Sequence, residues 1–347
     1  MARAWHLMRR PNGIPVEQDF ALKDYDLPEL GEGMVRVQNR WLSVDPYMRG
    51  RMNDVKSYVP PFSLDAPMEG GAVGEVVESN DPAFSPGDMV LHMSGWRDET
   101  VAPAQALNKL PPIPGVEPQA FLGNLGLTGG TAYFGLLDAA SAKEGDTVFV
   151  SAAAGAVGSL AVQIATLCGN RVIASAGSDD KVAWLRDELG VEAFNYRDGL
   201  DDQLRALAPD GISVYFDSVG SDHLEAALDH LVRGGRVAMC GSIAEYDSGP
   251  KGPRNLFLAV SKDLTLRGFR GSSNLHLMPE MQKRVSDWLR SGELLHRETV
   301  FTGLDSAPRA LAAMIAGDTT GKTLVSIDPE RRACRDAPLP SDDRSSP

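Results

Sequence analysis

Near the middle of the chain, a short apolar run leads into small residues and two glycines, a pattern suited to holding phosphate groups. Thr147–Val150 is typical of a β-strand, and Gly155 and Gly158 stand where the second and third glycines of a G-x-G-x-x-G motif would. Gly155 would let backbone approach a pyrophosphate, and Gly158 would let the next helix pack closely. Ala153 replaces the first glycine, and the same spacing occurs in ordinary tight turns. The pattern alone leaves both interpretations open.

The segment after the next predicted strand bears on which nicotinamide cofactor would bind. An NAD-specific site places Asp or Glu about 20 residues beyond the glycines, at the end of the second strand. Here small residues stand at that strand end, and Lys181 follows one turn into a helix. The missing carboxylate leaves room for a 2′-phosphate that Lys181 would neutralise, although Lys181 also suits a solvated helix surface. Asp179 and Asp180 argue against a phosphate site but suit the first turn of a helix. On balance, these residues favour NADPH.

Strand and helix patterns alternate through this half of the chain, as in parallel sheets covered by helices on both faces. Ser178 is expected to cap its helix. The sequence therefore predicts an α/β Rossmann domain with a doubly wound parallel sheet. The predicted elements after Thr147–Val150 are helix 159–168, strand Arg171–Ala176, helix 178–189, strand 191–195, helix 200–208, strand Ile212–Asp217, helix 222–231 and strand 236–240.

The N-terminal part of the chain has short strand patterns separated by glycines and prolines. Residues 34–44 and 70–78 read as strands, and a Pro-Gly turn leads into a third, which predicts an irregular β-barrel-like domain. A helix at Ala307–Ala316 and a strand at 324–327 are expected to rejoin this domain. We predict a substrate domain at 1–122, a Rossmann domain at 123–298, a return segment at 299–330 and a disordered tail at 331–347.

Composition argues against several classes of protein. The formal net charge of −13 disfavours a nucleic-acid partner, which would need a basic surface. The chain has no apolar run long enough to cross a bilayer and no apolar signal core at its N-terminus. Three cysteines, Cys168, Cys240 and Cys334, make a disulfide framework unexpected. We therefore expect a cytoplasmic enzyme with neither membrane nor nucleic-acid partners.

Several motifs are shared with one enzyme family. Residues 43–52 read Ser-Val-Asp-Pro-Tyr-Met-Arg-Gly-Arg-Met, and residues 215–220 read Tyr-Phe-Asp-Ser-Val-Gly. Further motifs at 131–136, 240–246 and 317–323 follow in the family's order. The chain thus resembles zinc-independent medium-chain dehydrogenase/reductases of the branch that holds prostaglandin reductases (leukotriene B4 12-hydroxydehydrogenases) and curcumin-type double-bond reductases. The resemblance implies a GroES-like N-terminal β domain beside the Rossmann domain.

The resemblance also implies an activity and a set of cofactor-binding residues. The activity is NADPH-dependent reduction of the carbon–carbon double bond of α,β-unsaturated ketones or aldehydes. Ser218 and Thr319 stand where the family usually has asparagine, so their contacts are expected to differ. The implied cofactor-binding residues are Leu127, Thr131, Gly155, Ala156, Val157, Gly158, Lys181, Tyr196, Ser218, Cys240, Gly241, Ser242, Ile243, Tyr246, Phe269, Arg270, Gly271 and Thr319.

Two tyrosines are the candidates for chemistry on the substrate. Hydride addition to the β-carbon would push charge onto the carbonyl oxygen, and an aimed phenol can stabilise that enolate. Tyr246, in the loop after the fifth strand, is the catalytic candidate, with the cofactor ribose 2′-hydroxyl as the alternative donor. Tyr47 resembles the family tyrosine that lines the substrate cleft. Exposed-loop and packing roles remain the alternatives for Tyr246 and Tyr47, respectively.

Metal chemistry is tested by the residues at the family's zinc positions. Zinc-dependent members need a Cys/His/Cys-type set. This chain has Ser43, Val44 and Asp45 where the first cysteine would stand, so we predict no metal. The family implies a homodimer. Quinone reduction on the same scaffold and a non-catalytic NADPH-binding protein are the alternative functions.

Overall fold

The computed structural model describes residues 2–57, 59–245 and 251–327, so the predicted catalytic Tyr246 and the predicted tail lie outside the described residues. No described helix is long and apolar enough to cross a membrane. The strands are β1 (Ala2–Leu7), β2 (Phe20–Tyr25), β3 (Met34–Ser43), β4 (Ala72–Ser79), β5 (Met89–His92), β6 (Glu99–Pro103), β7 (Asn108–Lys109), β8 (Thr147–Val150), β9 (Arg171–Ala176), β10 (Glu192–Asn195), β11 (Ile212–Asp217), β12 (Leu231–Met239), β13 (Thr265–Gly268), β14 (Glu298–Thr302) and β15 (Lys322–Ser326). The helices are α1 (Tyr47–Arg51), α2 (Leu127–Phe134), α3 (Ala156–Leu167), α4 (Asp179–Asp187), α5 (Leu200–Leu207), α6 (Ser221–His230), α7 (Leu258–Ser261), α8 (Met278–Ser291) and α9 (Ala307–Ala316).

Six strands form a parallel sheet in the order β10-β9-β8-β11-β12-β13. From β8 the chain runs outward to β10, and it then returns to β11 on the other side of β8. The predicted α/β fold with a doubly wound parallel sheet is therefore confirmed. In such sheets, ligands bind at the carboxyl ends of the strands where the winding direction changes, here between β8 and β11.

The strands of this sheet bury alternate side chains in two separate cores. Val148 and Val150 of β8 belong to a core with residues of α2, α3 and α8, whereas Phe149 belongs to one with residues of α5 and α6. Phe149 stacks on Tyr215 of β11 with ring centroids 4.9 Å apart. Burial on both faces explains why these strands are continuously apolar in sequence.

The N-terminal strands form a second sheet, in the order β14-β15-β3-β4-β5-β7, with β6 also paired to β3. β15 runs antiparallel to β3 and parallel to β14, so the end of the described chain returns to the N-terminal sheet. β1 and β2 form a separate antiparallel pair. The division of the chain at residues 122, 298 and 330 stays a prediction.

Two helix starts differ from the sequence-based expectation. α3 begins at Ala156 rather than at residue 159, because Gly155 has an extended backbone (φ −81°, ψ 176°) and the small residues after it are already helical. Ser178 occupies the N-cap position of α4, but its side chain makes no capping hydrogen bond. Asp179 and Asp180 lie in the first turn of α4, where their charges interact favourably with the helix dipole.

The buried histidine of β5 makes folding depend on pH. His92 is 3% exposed, and its Nδ1 accepts the backbone N–H of Ser94 at 3.1 Å. Burial, reinforced by the charge of Arg97, lowers the pKa of His92 to about 4. An unfolded histidine titrates near pH ~6.5. The unfolded chain therefore binds the proton first, and the free energy of unfolding falls as the pH drops from about 6.5 to about 4.

Replacing His92 by glutamine, whose amide oxygen can accept the Ser94 N–H, is expected to flatten this dependence. Between about pH 7 and about pH 4, the unchanged chain should lose up to about 3 kcal/mol more stability than His92→Gln. Urea unfolding across this range measures the difference, with His276→Gln at an exposed site as the matched control. If the free energy of unfolding depended equally on pH in His92→Gln and in the unchanged chain, His92 would not be the source of the pH dependence.

Candidate functional site

The glycine turn, residues 151–158, joins β8 to α3 at the carboxyl edge of the parallel sheet. Ala152 is in the left-handed region (φ 48°), and its carbonyl accepts the N–H of Gly155 at 2.9 Å. A Cβ on Gly158 would lie 2.3 Å from the Ala152 carbonyl oxygen, so this close approach requires glycine. Ala156 and Val157 are half-buried in the first turn of α3, where the backbone N–H groups have no partner within the helix. The turn can therefore donate to a phosphate group.

A buried hydrogen-bond network lies behind the glycine turn. Ser151 Oγ accepts the backbone N–H of Ser218 at 3.1 Å and lies 3.0 Å from the Tyr215 hydroxyl. Asp217 Oδ1 accepts the Tyr215 hydroxyl and the N–H of Gly220, both at 2.8 Å. Burial raises the pKa of Asp217 despite these donors. The network joins the ends of β8 and β11, and sequence reasoning missed it, although Ser151 directly follows β8 and Asp217 ends β11.

Lys181 and Tyr196 follow β9 and β10, respectively. The Tyr196 hydroxyl lies 3.1 Å from where a Cβ on Gly177 would be, so glycine makes room for the ring at the end of β9. Lys181 is half-buried, and its Nζ donates to the Gly317 carbonyl at 2.5 Å. Burial lowers the pKa of Lys181, and the nearby charge of Asp318 partly opposes this effect. Because the carbonyl is neutral, a phosphate would be a stronger partner for the ammonium.

Two residues that sequence reasoning missed join this corner of the site. The Arg197 guanidinium lies 5.9 Å from the Tyr196 ring centroid, and its charge also disfavours the protonated form of Lys181. The His223 ring meets Tyr196 edge to face, with centroids 4.9 Å apart. Burial lowers the pKa of His223 to about 4, so the ring is neutral near pH ~7. The basic residue directly after Tyr196 was the available sequence signal.

The loop after β12 is held to the end of β11 and the loop that follows it by backbone hydrogen bonds. Cys240 and Gly241 donate their N–H groups to the Asp217 carbonyl at 2.8 and 3.1 Å, and Ile243 donates to the Ser218 carbonyl at 3.2 Å. The Cys240 thiol lies beside the Ser218 side chain, and burial raises the pKa of this thiol to about 12. The thiol is thus uncharged near neutral pH and is not an activated nucleophile.

A cavity of about 560 Å³ lies between this loop and the residues that follow β13. Its lining includes Cys240 and Ser242 on one side and Phe269 and Arg270 on the other. The volume falls in the range of ligand pockets. The cavity is at the carboxyl ends of β12 and β13, on the same edge of the sheet as the glycine turn.

Leu127 and Thr131, in the first turns of α2, pack against Gly271. A Cβ on Gly271 would lie 2.3 Å from Thr131 Oγ1 and 3.1 Å from Leu127 Cδ1, so the contact requires glycine. Thr131 Oγ1 donates to the Leu127 carbonyl at 2.7 Å. Phe269 packs edge to face on Phe216 of β11, with ring centroids 6.2 Å apart. These contacts bring the start of α2 to the cavity side of the parallel sheet.

The segment before β15 reaches the glycine turn from the other sheet. The Gly321 N–H donates to the Ala154 carbonyl at 2.8 Å, and Gly321 pairs with Gly155 in a β-bridge. Thr319 is 7% exposed, and its Oγ1 lies in hydrogen-bond contact with Thr323 Oγ1 at 3.0 Å. The hydroxyl of Thr319 is therefore engaged within its own segment, whereas the backbone at Gly321 contacts the turn.

Tyr47 approaches from the N-terminal sheet, as the first residue of α1, and packs half-buried against that core. The two arginines that follow Tyr47 in α1 have partners within the N-terminal part of the chain. Arg49 is 3% exposed and donates to the Gly13 carbonyl at 2.9 Å. Arg51 forms an ion pair with Glu69 at 3.0 Å.

Comparison with known proteins places the chain in a family. Residues 3–110 match the N-terminal domain of oxidoreductases, and residues 156–290 match the zinc-binding dehydrogenases. The chain is 40% identical to the NADP⁺-dependent 2-alkenal reductase of Nicotiana tabacum, covering 92% of this chain and 95% of that protein. It is 37% identical to the NADPH-dependent curcumin reductase of Escherichia coli, covering 94% and 96%. CurA from Vibrio vulnificus, in complex with NADPH, superposes with a TM-score of 0.88 at 35% identity, covering 94% and 99%.

The chain belongs to the zinc-independent medium-chain dehydrogenase/reductases. The predicted family is thereby confirmed. One of the matched domain families is described as zinc-binding, yet the described residues contain no group of three or more His, Cys, Asp or Glu that could hold a metal ion. In this reductase, Ser43, Val44 and Asp45 instead form the junction between β3 and α1.

Proposed function

We propose that this protein reduces the carbon–carbon double bond of α,β-unsaturated ketones or aldehydes with NADPH. The observation that carries the proposal is the location of the glycine turn, Lys181 and Tyr196 along one edge of a doubly wound sheet. The relatives named as NADP-dependent alkenal and curcumin reductases support it.

The residues of this edge fit a phosphorylated dinucleotide. The glycine turn offers free amides and a close approach that a Cβ at Gly158 would block. Lys181 and Arg197 offer two cations to a 2′-phosphate, and β9 ends at Ala176 and Gly177 without a carboxylate that would repel it. When bound, NADPH supplies the hydride for the reaction.

We assign the remaining cofactor contacts by their place along the edge. Gly155, Ala156, Val157 and Gly158 would hold the pyrophosphate. Ser218 and the loop after β12 would follow the cofactor towards the cavity, where α2 and the residues after β13 would meet the nicotinamide. The assigned residues beyond the glycine turn are Leu127, Thr131, Lys181, Tyr196, Ser218, Cys240, Gly241, Ser242, Ile243, Phe269, Arg270, Gly271 and Thr319.

Two tyrosines complete the proposed reaction. Tyr246 would donate a hydrogen bond to the substrate carbonyl oxygen as negative charge develops there. Tyr47 would line the cleft on the side of the N-terminal sheet and orient the apolar substrate. A proton then reaches the α-carbon to give the saturated carbonyl compound.

Replacing Lys181 by alanine is expected to raise the KM for NADPH about 10- to 100-fold, since a charge-assisted contact with the 2′-phosphate is lost. The KM for NADH should change little, because NADH lacks that phosphate. Steady-state kinetics with each cofactor measures the two KM values. Lys143→Ala, at an exposed lysine, is the matched control. An equal rise for both cofactors would rule out this assignment of Lys181.

We further propose that the protein is a homodimer. Among the described residues, β13 has no neighbour at its outer edge, and exposed edges favour pairing with another chain. Phe257 and Val260, directly before β13, are 76% and 68% exposed. Light scattering of the purified protein should report the mass of a dimer.

The direct test of the proposed activity is NADPH oxidation with an enone, a 2-alkenal, a quinone and a saturated ketone. We expect turnover of the enone or alkenal, insensitive to EDTA, with the saturated carbonyl compound as product. Turnover of the quinone alone would make the protein a quinone reductase. If none of the four compounds is reduced although NADPH binds, the proposal is overturned.

A further inference from the structure

A largely buried ion pair joins the start of β15 to the residues that follow β3, its neighbour in the N-terminal sheet, beside the glycine turn. Lys322, the first residue of β15, is 3% exposed, and its Nζ donates to Asp45 Oδ1 and to the Val44 carbonyl at 3.2 Å. Asp45 Oδ2 accepts the Ser43 hydroxyl, so both carboxylate oxygens have donors. The side chain of Asp45, at the junction between β3 and α1, is 21% exposed.

The ion pair lies on a short covalent and hydrogen-bonded path between cofactor and substrate elements. Lys322 follows Gly321, whose N–H donates to Ala154 in the glycine turn. Asp45 precedes Tyr47 by two residues, with Pro46 at the N-cap of α1 between them. The backbone of Gly321, directly before β15, therefore contacts the glycine turn. The side chain of Lys322 holds the start of α1, the helix that carries Tyr47.

Stability alone does not account for a buried lysine paired with a partly buried aspartate at this junction. Removing a lysine and an aspartate from water costs several kcal/mol per ion, and well-packed apolar residues of similar size are often as stable or more so. A charge pair does differ from apolar packing in one respect, because it is satisfied in a single relative arrangement of its two partners. That property suits an ion pair whose role is to fix two parts of a site relative to each other.

We propose that the Asp45–Lys322 ion pair is a positioning element that fixes Tyr47, and with it the substrate, relative to the glycine turn. The inference rests on the proposed function, in which a substrate beside Tyr47 must meet the reduced cofactor. A displacement of about 1 Å in such a site can cost about 100-fold in rate. The pair thus acts through Tyr47 and need not touch the reacting atoms.

The first test removes both charges at once. Lys322→Met or Asp45→Asn alone would leave a buried unpaired charge and lower stability, so neither single variant is informative about rate. The double variant leaves no unpaired charge, and its urea midpoint should be close to that of the unchanged protein. We expect it to keep its Kd for NADPH and to lose about 10- to 100-fold in kcat with an enone. The matched control is the double variant Arg236→Met with Asp146→Asn, which removes a partly buried ion pair between β12 and the residue before β8.

A double-mutant cycle shows whether the pair acts through Tyr47. Tyr47→Ala should lower kcat/KM in the unchanged protein and add little in the double variant, where Tyr47 is already displaced. A fully additive effect, or a stable double variant with an unchanged kcat, would overturn the proposal. If the double variant does not fold, Asp45→Glu replaces it. This variant keeps both charges and shifts the start of α1, and an unchanged kcat would likewise overturn the proposal.

A second readout does not need turnover. NADPH binding at the glycine turn should slow amide hydrogen exchange in residues 44–52 of the unchanged protein, and this protection should be lost in the double variant. Protection that persists without the pair would contradict the inference. If the unchanged protein binds NADPH but reduces no enone, the proposed function fails, and the exchange experiment still decides whether the pair couples the two elements.

Discussion

Replacing Gly158 by alanine is expected to weaken NADPH binding by about 100-fold and to lower stability by about 1–3 kcal/mol. The added methyl group would lie 2.3 Å from the Ala152 carbonyl oxygen, 2.8 Å from the Ala153 Cα and 2.9 Å from the Ala152 carbonyl carbon. All three are backbone atoms, so the clash can be relieved only by moving the turn away from α3. Fluorescence titration with NADPH and urea unfolding measure the two effects.

Gly155→Ala provides a graded control for this prediction. A Cβ at Gly155 would approach one atom, the Ala152 carbonyl oxygen, at 3.2 Å, which a small adjustment relieves. We therefore expect a smaller loss of stability than for Gly158→Ala, whereas NADPH affinity should fall in both variants because Gly155 is assigned to the pyrophosphate. The reverse order would mean that Gly155, rather than Gly158, sets the close approach, and would contradict the packing role assigned to Gly158.

The glycine turn illustrates what local sequence can predict. A strand, a small-residue turn and a helix are contiguous, and the requirement for glycine at Gly158 comes from atoms only five and six residues away. Arg171–Ala176 and Ile212–Asp217 begin and end as predicted, because strands buried on both faces stand out as apolar runs. Such features depend on neighbours along the chain, and their prediction needs no knowledge of the tertiary fold.

The same reasoning could not predict contacts between segments that lie far apart in the sequence. The Asp45–Lys322 pair spans 277 positions, and the Tyr215–Ser151 contact spans 64. Sequence patterns did predict the strand that holds Tyr215 and the turn that holds Ser151, whereas Asp45 and Lys322 lie just outside the predicted strands 34–44 and 324–327. Sequence patterns did not reveal the strand register that brings these particular polar atoms together, because register is set by the packing of whole elements.

Lys181 shows how the structure changes a residue's interpretation. In sequence, a lone lysine on a helix is equally consistent with a solvated surface. In the fold it is half-buried, hydrogen-bonded to a neutral carbonyl and accompanied by Arg197, whose like charge disfavours the protonated form of Lys181, and by Asp318, whose charge favours it. Burial and the like charge of Arg197 both disfavour the charged Lys181, and Asp318 offsets them only in part, so a further anion would be favourable here, which favours the phosphate interpretation.

Replacing Tyr246 by phenylalanine is expected to lower kcat for an enone by about 10²- to 10³-fold, the usual cost of removing one hydrogen-bond donor to a developing oxyanion. The Kd for NADPH should be nearly unchanged, because phenylalanine keeps the ring and removes only the hydroxyl. Tyr246 lies outside the described residues, so this prediction rests on the family motif at 240–246. Stopped-flow measurement of NADPH oxidation under single-turnover conditions isolates the chemical step from product release.

Tyr25→Phe is the matched control for this substitution. Tyr25 lies in β2, far in the chain from the predicted motif; phenylalanine keeps the ring facing the Arg97 guanidinium at 5.2 Å and, as in Tyr246→Phe, loses only the hydroxyl, here with its hydrogen bond to Arg97. The control should therefore keep the single-turnover rate of the unchanged protein. A loss of less than about tenfold in Tyr246→Phe would contradict direct donation by the phenol, since an oxyanion donor contributes more than that. A parallel loss of NADPH affinity would instead make Tyr246 a cofactor-binding residue, with the enolate stabilised by another group.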